Sequence, residues 1–255
     1  MGIYNCAPSL REALNSLYAQ TYQNFKIILC DDGSKDDTYK IAKEYADNHN
    51  NIILLRNEIN KGLNYTLNRC LEYADTEYCA RMDGDDISLP TRFEKEIKFL
   101  DEHSEYAIVS CPMIYFDEKG DFKIGKSLGE PKINSFVKGT PFCHAPSMVR
   151  TEAYKKVGGY SNSPYLLRVE DYHLWIKMYK AGFRGYNLQE CLYKMRDDRK
   201  ASARRTWKNR RNEMYVRFIA AKSLRIPWLY WSHILRPLIV YLMPSYIYNY
   251  FHHKS

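Results

Sequence analysis

The chain has 255 residues, a formal net charge of +8, and is 45% hydrophobic and 27% charged. That composition fits one large globular domain or two small ones and excludes disordered, collagenous and repeat classes. Much of the positive charge lies in "RDDRKASARRTWKNRR", Arg196 to Arg211, which points to a polyanionic partner (nucleic acid, an anionic membrane, a phosphorylated substrate) or to a solvated helix face.

From the N-terminus the sequence alternates. "SLREALNSLYAQT" places Leu10, Ala13, Leu14 and Leu17 at helical spacing, with Pro8 and Ser9 as start signals. "FKIILC" reads as a buried strand running into the polar turn "DDGS". "DDTYKIAKEYADNH" is a helix with acids in its first turn, "NIILLRN" a strand, "LNYTLNRCLEYA" a helix and "EYCARMD" a strand that ends in "RMDGDD". "LPTRFEKEIKFLDEH" returns to helix, with Pro90 near its first turn, and "YAIVSCPMIYF" reads as a further strand. The segment "GDFKIGKSLGEPKINSFVKG" reads as loops able to cover a site. "RTEAYKKVGGY" is a short helix stopped by Gly158 and Gly159. "EDYHLWIKMYKAG" is an amphipathic helix with Leu174, Ile176 and Met178 inward and Gly182 as terminator.

Strand–helix alternation at this spacing indicates an α/β fold with a mainly parallel sheet covered on both faces. Ligands bind such sheets beyond the carboxyl ends of the strands. Both acidic turns, "CDDGS" and "MDGDD", fall at such ends. Asp83, Asp85 and Asp86 lie within four positions, where like charges repel unless a solvated turn or a cation accommodates them. Asp83 and Asp85 form a D-x-D pair whose hard oxygens suit Mg²⁺ or Mn²⁺. Alone, that motif is weak, since chance supplies it in most proteins. Its place at a strand end, after a first acidic turn, gives it weight.

The segments "YNCAPSLREALNSLYAQTYQNFKIILCDDGSKDDT", "NKGLNYTLNRCLEYADTEYCARMDGDDISLPTRFEKEIKFL" and "RVEDYHLWIKM" together resemble family 2 glycosyltransferases with the Rossmann-like GT-A fold, over roughly residues 1 to 195. The resemblance implies an inverting, metal-dependent transferase that uses a nucleotide-sugar, UDP-linked, in surface polysaccharide or lipopolysaccharide assembly. It implies that Asp31 and Asp32 recognise base and ribose, that Ile3, Tyr4 and Asn5 line the same pocket, and that Asn60 and Gly62 lie near the nucleotide. Asp83 and Asp85 would hold the ribose and the metal-diphosphate, with Asp86 supporting them or capping a helix. Asp171 would be the base and Glu170 its acceptor-binding partner. The competing reading is that both acids only favour a helix N-terminus. His144 in "PFCHAPSMVR" would meet the acceptor, and Trp175 would floor the acceptor site or simply pack in the core.

The chain opens at "MGIYN", where the family carries a hydrophobic strand before its "YN" turn, so a strand upstream of Met1 is expected. No secretory signal pattern is present. The seven cysteines (Cys6, Cys30, Cys70, Cys79, Cys111, Cys143, Cys191) contain no C-x-x-C pair and read as small buried hydrophobes of a reducing compartment. The 23 tyrosines supply half-buried rings with a polar handle, or reflect nucleotide composition. Residues 196–255 read as a basic, aromatic-rich helical tail. Its apolar part is broken by His233, Arg236, Pro237, Pro244 and Asn249, too interrupted to span a bilayer but of interfacial character. The resemblance places the protein in the cytoplasm, peripheral at the inner membrane, with a saccharide or lipid-linked acceptor and an anionic membrane surface as partners. Two other classes compete: a non-catalytic nucleotide- or carbohydrate-binding paralogue, and a nucleic-acid binder. The second leaves the acidic turns unexplained and lacks the motifs.

Overall fold

The structure is a computed structural model describing residues 1–127, 129–197 and 206–243. Its N-terminal part runs β1 (Gly2–Ile3), α1 (Ala7–Tyr18), β2 (Ile27–Asp31), α2 (Thr38–Asn48), β3 (Ile52–Arg56) and α3 (Leu63–Leu71). The three strands form a wholly parallel sheet in the order β1-β2-β3. Its register aligns Ile3, Asp31 and Arg56 in one row at the carboxyl edge. α1 forms as its spacing dictates: Leu10, Ala13, Leu14 and Leu17 are all buried on one face, and Pro8 sits in the first turn, where its missing N–H costs nothing.

The middle of the chain runs β4 (Tyr78–Ala80), β5 (Ile87–Ser88), α4 (Arg92–Glu102), β6 (Ile108–Ser110), β7 (Met113–Asp117), β8 (Gly120–Ile124), β9 (Met148–Arg150), α5 (Thr151–Val157), α6 (Glu170–Lys180), β10 (Gly185–Asn187) and β11 (Tyr193–Arg196). Two further sheets result, β10-β6-β9-β4 and β5-β11-β7-β8, each mixing parallel and antiparallel pairs. The run Tyr106 to Phe116 is not one strand: β6 and β7 join different sheets, split at Pro112, which has no N–H to continue a ladder. Leu174, Ile176 and Met178 of α6 face inward as their spacing requires, and all seven cysteines are free.

The tail holds α7 (Trp207–Ser223), a 3-10 turn over Trp228–Leu235, and α8 (Arg236–Leu242). α7 packs on the rest of the fold. Its Val216, Ala220 and Ala221 belong to the same buried cluster as Trp175. Arg217 donates to the carbonyls of Val137 (3.0 Å) and His233 (3.1 Å). Part of the basic block (198–205), with Pro244 and Asn249, lies outside the described residues. Among the described residues, no helix is long and apolar enough to cross a membrane.

A cleft of ≈ 490 Å³ separates the first sheet from β4. Met1 and Ile28 line one wall and Cys79 and Arg81 the other, with Leu67 and Ile97 from the flanking helices. Above it the chain enters β1 with the Met1 ammonium donating to the Ile28 carbonyl at 2.6 Å.

Candidate active site

The first acidic turn is built by backbone economy. Gly33 has φ 71°, and a Cβ there would lie 2.8 Å from the Ile59 carbonyl carbon, so only glycine lets the turn abut the 57–62 loop. Asn5, at φ 47°, accepts from the Lys35 N–H through its side chain (2.9 Å), while its own N–H donates to Ser34 Oγ (3.0 Å). Asp32 is buried and organises the neighbouring loop. It accepts from Asn57 Nδ2 (2.7 Å), Lys61 N (2.9 Å) and Gly62 N (2.9 Å). Asp31 faces Arg56 Nε at 3.3 Å, and that guanidinium lies 4.0 Å over the Tyr39 ring.

Tyr4 and Asn60 are exposed beside this turn. Ile3 is not available as a lining side chain: it is buried in the core, and its nearest offering is a carbonyl that accepts from Asp32 N (2.9 Å). Gly62 is favoured by its φ of 88° at the start of α3, where a Cβ would meet no protein atom within 4 Å.

The second acidic turn follows β4. Arg81, almost wholly buried, pairs with Asp83 and also donates to the Met82 carbonyl. Burial pushes the Asp83 carboxyl up, but the charge and hydrogen bond of Arg81, with smaller contributions from His144 and the N-terminus, together hold the group below the usual range. Asp85 is raised by burial and by the Asp83 charge. Asp86, pushed up to about 8 by burial and then by Asp83 and Asp85, accepts from Tyr193 Oη (3.0 Å) and Arg196 N (2.8 Å). It therefore supports the turn from β11 and caps no helix; Thr91 occupies the N-cap of α4. Gly84 lets the turn pass close to β1: a Cβ there would lie 2.7 Å from Cys6 Sγ and 3.1 Å from Ile3 Cγ2.

Glu170 and Asp171 open α6, as the sequence expected. Burial raises both carboxyls, and the Glu170 charge adds to the rise at Asp171, which reaches about 7. Glu170 Oε2 is buried without a partner. An ordinary N-terminal acid is solvated and would stay ionised well below neutral pH. Asp171 is held ready to exchange a proton near it, and Glu170 is shifted in the same direction. His144 bonds through Nε2 to Tyr160 Oη (2.8 Å), and burial together with Arg81 pushes it down to about 3, so it stays neutral. Trp175 does not floor an acceptor site. It is fully buried, edge-on to Phe142 at 5.6 Å and to His144 at 6.2 Å, and packs the core beneath.

The Arg81 charge is a leading influence on Asp83 and His144 and reaches Asp85, Glu170 and Asp171 as a minor one, which sets these groups around one guanidinium. Arg81 was legible two residues before Asp83 in "ARMDGDD" and was missed. Tyr193 had no local signal, standing 107 positions from the carboxylate it bonds. The buried Arg92–Glu96 pair was also missed; Arg92 donates to the Arg81 carbonyl (2.9 Å) and steadies the strand end.

Among the described residues no group of three or more His, Cys, Asp or Glu side chains converges to hold an ion. Two adjacent carboxylates still suit Mg²⁺ or Mn²⁺, which take one or two protein carboxylates and complete their shell from substrate phosphates and water. The raised Asp85 carboxyl, crowded by Asp83, is the kind of group a cation would relieve.

Comparisons place this geometry among known proteins. Residues 1–158 match the family model "Glycosyl transferase family 2", which stops short of α6. The chain is 43% identical over 257 residues to EpsE of Bacillus subtilis (strain 168), covering 100% of this chain and 92% of that protein. It is 30% identical to the Escherichia coli UDP-Glc:alpha-D-GlcNAc-diphosphoundecaprenol beta-1,3-glucosyltransferase WfaP, over 75% of this chain and 74% of the other. The fold matches that of the mannosyltransferase PcManGT from Pyrobaculum calidifontis in complex with GDP-Man and Mn²⁺, with TM-score 0.66 and 20% identity over 94% of this chain and 68% of that one. The fold is GT-A, and the chain belongs to glycosyl transferase family 2.

Proposed function

We propose that this glycosyltransferase moves a sugar from a UDP-sugar to a hydroxyl of a saccharide or lipid-linked acceptor during surface polysaccharide assembly, with inversion, using Asp171 as base. The observation that carries the reading is the raised carboxyl pair Glu170–Asp171 gathered with the D-x-D turn around one buried guanidinium, Arg81. WfaP, whose name gives a UDP-sugar donor and a diphosphoundecaprenol-linked acceptor, supports the donor and acceptor classes. The Mn²⁺ complex of PcManGT supports a divalent cation at Asp83 and Asp85.

In this reading Asp31, Tyr4, Asn5, Asn60 and the Asp32-bound loop take the nucleoside. The cation, when bound, neutralises the diphosphate. Ionised Asp171 accepts the acceptor hydroxyl's proton as that oxygen forms its bond to the anomeric carbon. The bond from that carbon to the diphosphate breaks on the opposite side, its electron pair leaving with the nucleoside diphosphate. A single displacement inverts the centre. Glu170 hydrogen-bonds the acceptor, and its carboxylate charge helps to keep Asp171 basic. Neutral His144 can contribute a hydrogen bond but no charge.

The test is UDP binding by calorimetry with and without Mn²⁺, on wild type and Asp85→Ala. Metal-dependent binding that is lost in the variant supports the donor site and leads to screening of UDP-sugars. If UDP, GDP and dTDP all fail to bind the folded protein, the transferase reading falls.

A further inference from the structure

The 3-10 turn and α8 are apolar on both sides. Inward, Tyr230 and Ile234 pack against the core and Pro237 is buried. Outward, Trp228 is 83% exposed, Leu229 68%, Leu235 55%, Ile239 61% and Leu242 70%. Leu235, Ile239 and Leu242 follow the i, i+4, i+7 spacing and form one stripe along α8. A helix on a protein surface ordinarily gives its solvent side to polar residues. Here that side is the apolar one, a sign of a partner.

Charge identifies the partner. Residues 206–243 contain seven Lys and Arg and a single acid, Glu213. Glu213 is already paired with Arg210 (2.6 Å) and Arg217 (2.9 Å). Arg225 precedes the apolar stripe and Arg236 lies within it, both exposed. Exposed tryptophan and aliphatic side chains with cations of one sign are the composition of a segment lying in a membrane interface. Among the described residues none of the helices can span, so the geometry is that of a face resting on a bilayer.

We infer that this face seats the protein on an anionic membrane. Trp228, Leu229, Leu235, Ile239 and Leu242 enter the boundary between headgroups and acyl chains, and Arg225 and Arg236 meet lipid phosphates. A protein partner fits less well: cations border the stripe, and the segment is helical and offers no strand edge. The face is linked to the proposed catalytic acids through α7, which packs on both the 3-10 turn and α6 and donates from Asn212 to the Leu167 carbonyl (3.2 Å) just before Glu170. The inference does not depend on the donor chemistry proposed above.

The experiment is vesicle flotation of the full chain with phosphatidylcholine alone and with ~30% phosphatidylglycerol. It is run on wild type, on the triple variant Trp228→Ser/Leu229→Ser/Ile239→Ser, and on Ile124→Ser as an exposed apolar control on β8. Circular dichroism and sedimentation velocity on the same samples report folding and self-association. The expected result is flotation of wild type and Ile124→Ser with the anionic vesicles only, weakened by added salt, and at least tenfold less vesicle-bound protein for the folded triple variant. Wild type that stays with the soluble fraction, or a triple variant that floats like wild type, overturns the inference. A wild-type dimer that the triple variant dissociates, without flotation of either, overturns it in favour of a second copy of the chain. If the triple variant fails to fold, the single variant Leu242→Ser replaces it, with a severalfold loss expected and no loss overturning the proposal.

Discussion

The hydroxyl of Tyr193 joins the two ends of the acidic turn: it donates to Asp86 Oδ2 at 3.0 Å and accepts from the backbone N–H of Asp83 at 3.2 Å. One side chain from β11 thus ties the backbone of the first Asp in "DGDD" to the carboxylate of the last. Tyr193→Phe removes only that oxygen, takes the partner from the Asp83 N–H and leaves Asp86 with the Arg196 N–H alone. The expected stability loss is about 1–3 kcal/mol, read by urea denaturation. Metal-dependent UDP affinity should also fall, by roughly tenfold, as it does when outer partners of metal ligands are lost. An unchanged affinity would mean that the turn holds its shape without this bond.

Asp171 gives a pH dependence with a definite sign. Its carboxyl is pushed up to about 7 by burial and by the Glu170 charge. As the base it must be ionised, so kcat/KM should rise with pH and level off above about 7. Glu170→Gln removes the charge that helps to raise it, so the rising limb should move to lower pH even as the acceptor KM worsens. Stability should run the other way. A carboxyl raised in the folded state contributes stability that is full below its unfolded pKa and is lost as pH climbs through the folded one. Asp171→Asn should therefore melt higher than wild type at pH 8 and no higher near pH 3.5, while losing activity at both. A rate profile flat from pH 5 to 8 would remove Asp171 from the role of base.

The sequence made the α/β order legible because each apolar run had one periodicity and one obvious partner layer. α1, α2 and α6 follow from their stripes, and the two acidic turns follow from strand ends. What could not be read was anything decided by distant chain. β9, β10 and β11 are short segments whose strand character comes from pairing with β4, β6 and β7. Tyr193 reaches Asp86 only because β11 pairs with β5 and β7. The role expected of Trp175 failed for the same reason: its position on α6 beside the acids was legible, but which face meets the core was settled by Phe142 and the packing of α7. Asp32 shows a subtler limit. Its place in the turn was legible, but not that its oxygens are already engaged in holding the 57–62 loop.

Gly84 offers a test of how tightly the second acidic turn is set against the first strand. A Cβ at this position would sit 2.7 Å from Cys6 Sγ. Gly84→Ala should displace the turn by a few tenths of an ångström and cost about 1–3 kcal/mol, the usual penalty of overpacking, with weakened metal-dependent UDP binding. The clash is with one sulfur, so Cys6→Ala in the same chain should recover most of both losses. A double variant no better than Gly84→Ala would show that the Ile3 contact, at 3.1 Å, sets the limit instead.

Both β2 and β4 line the cleft. Among the described residues β2 is paired on that side by the short β1 and the Met1 backbone alone, and β4 pairs with β9 alone. Two strand edges therefore face each other across ≈ 490 Å³ lined by Leu67, Cys79, Phe93 and Met148. An extended apolar segment continuing β1 backwards from Met1 would pair with β2 and bury its side chains under α3 and α4. Adding five residues of Val and Ile ahead of Met1 should then raise stability by ~3 kcal/mol or more, which for a chain of this size is a melting shift of roughly 6–12 °C. Five Ser and Asp residues at the same place should add nothing. UDP affinity should improve with the apolar extension alone, because the end of β1 carries Tyr4 and Asn5. If both extensions melt alike, the two sheets do not close over a strand, and the cleft is a fixed hollow of the fold.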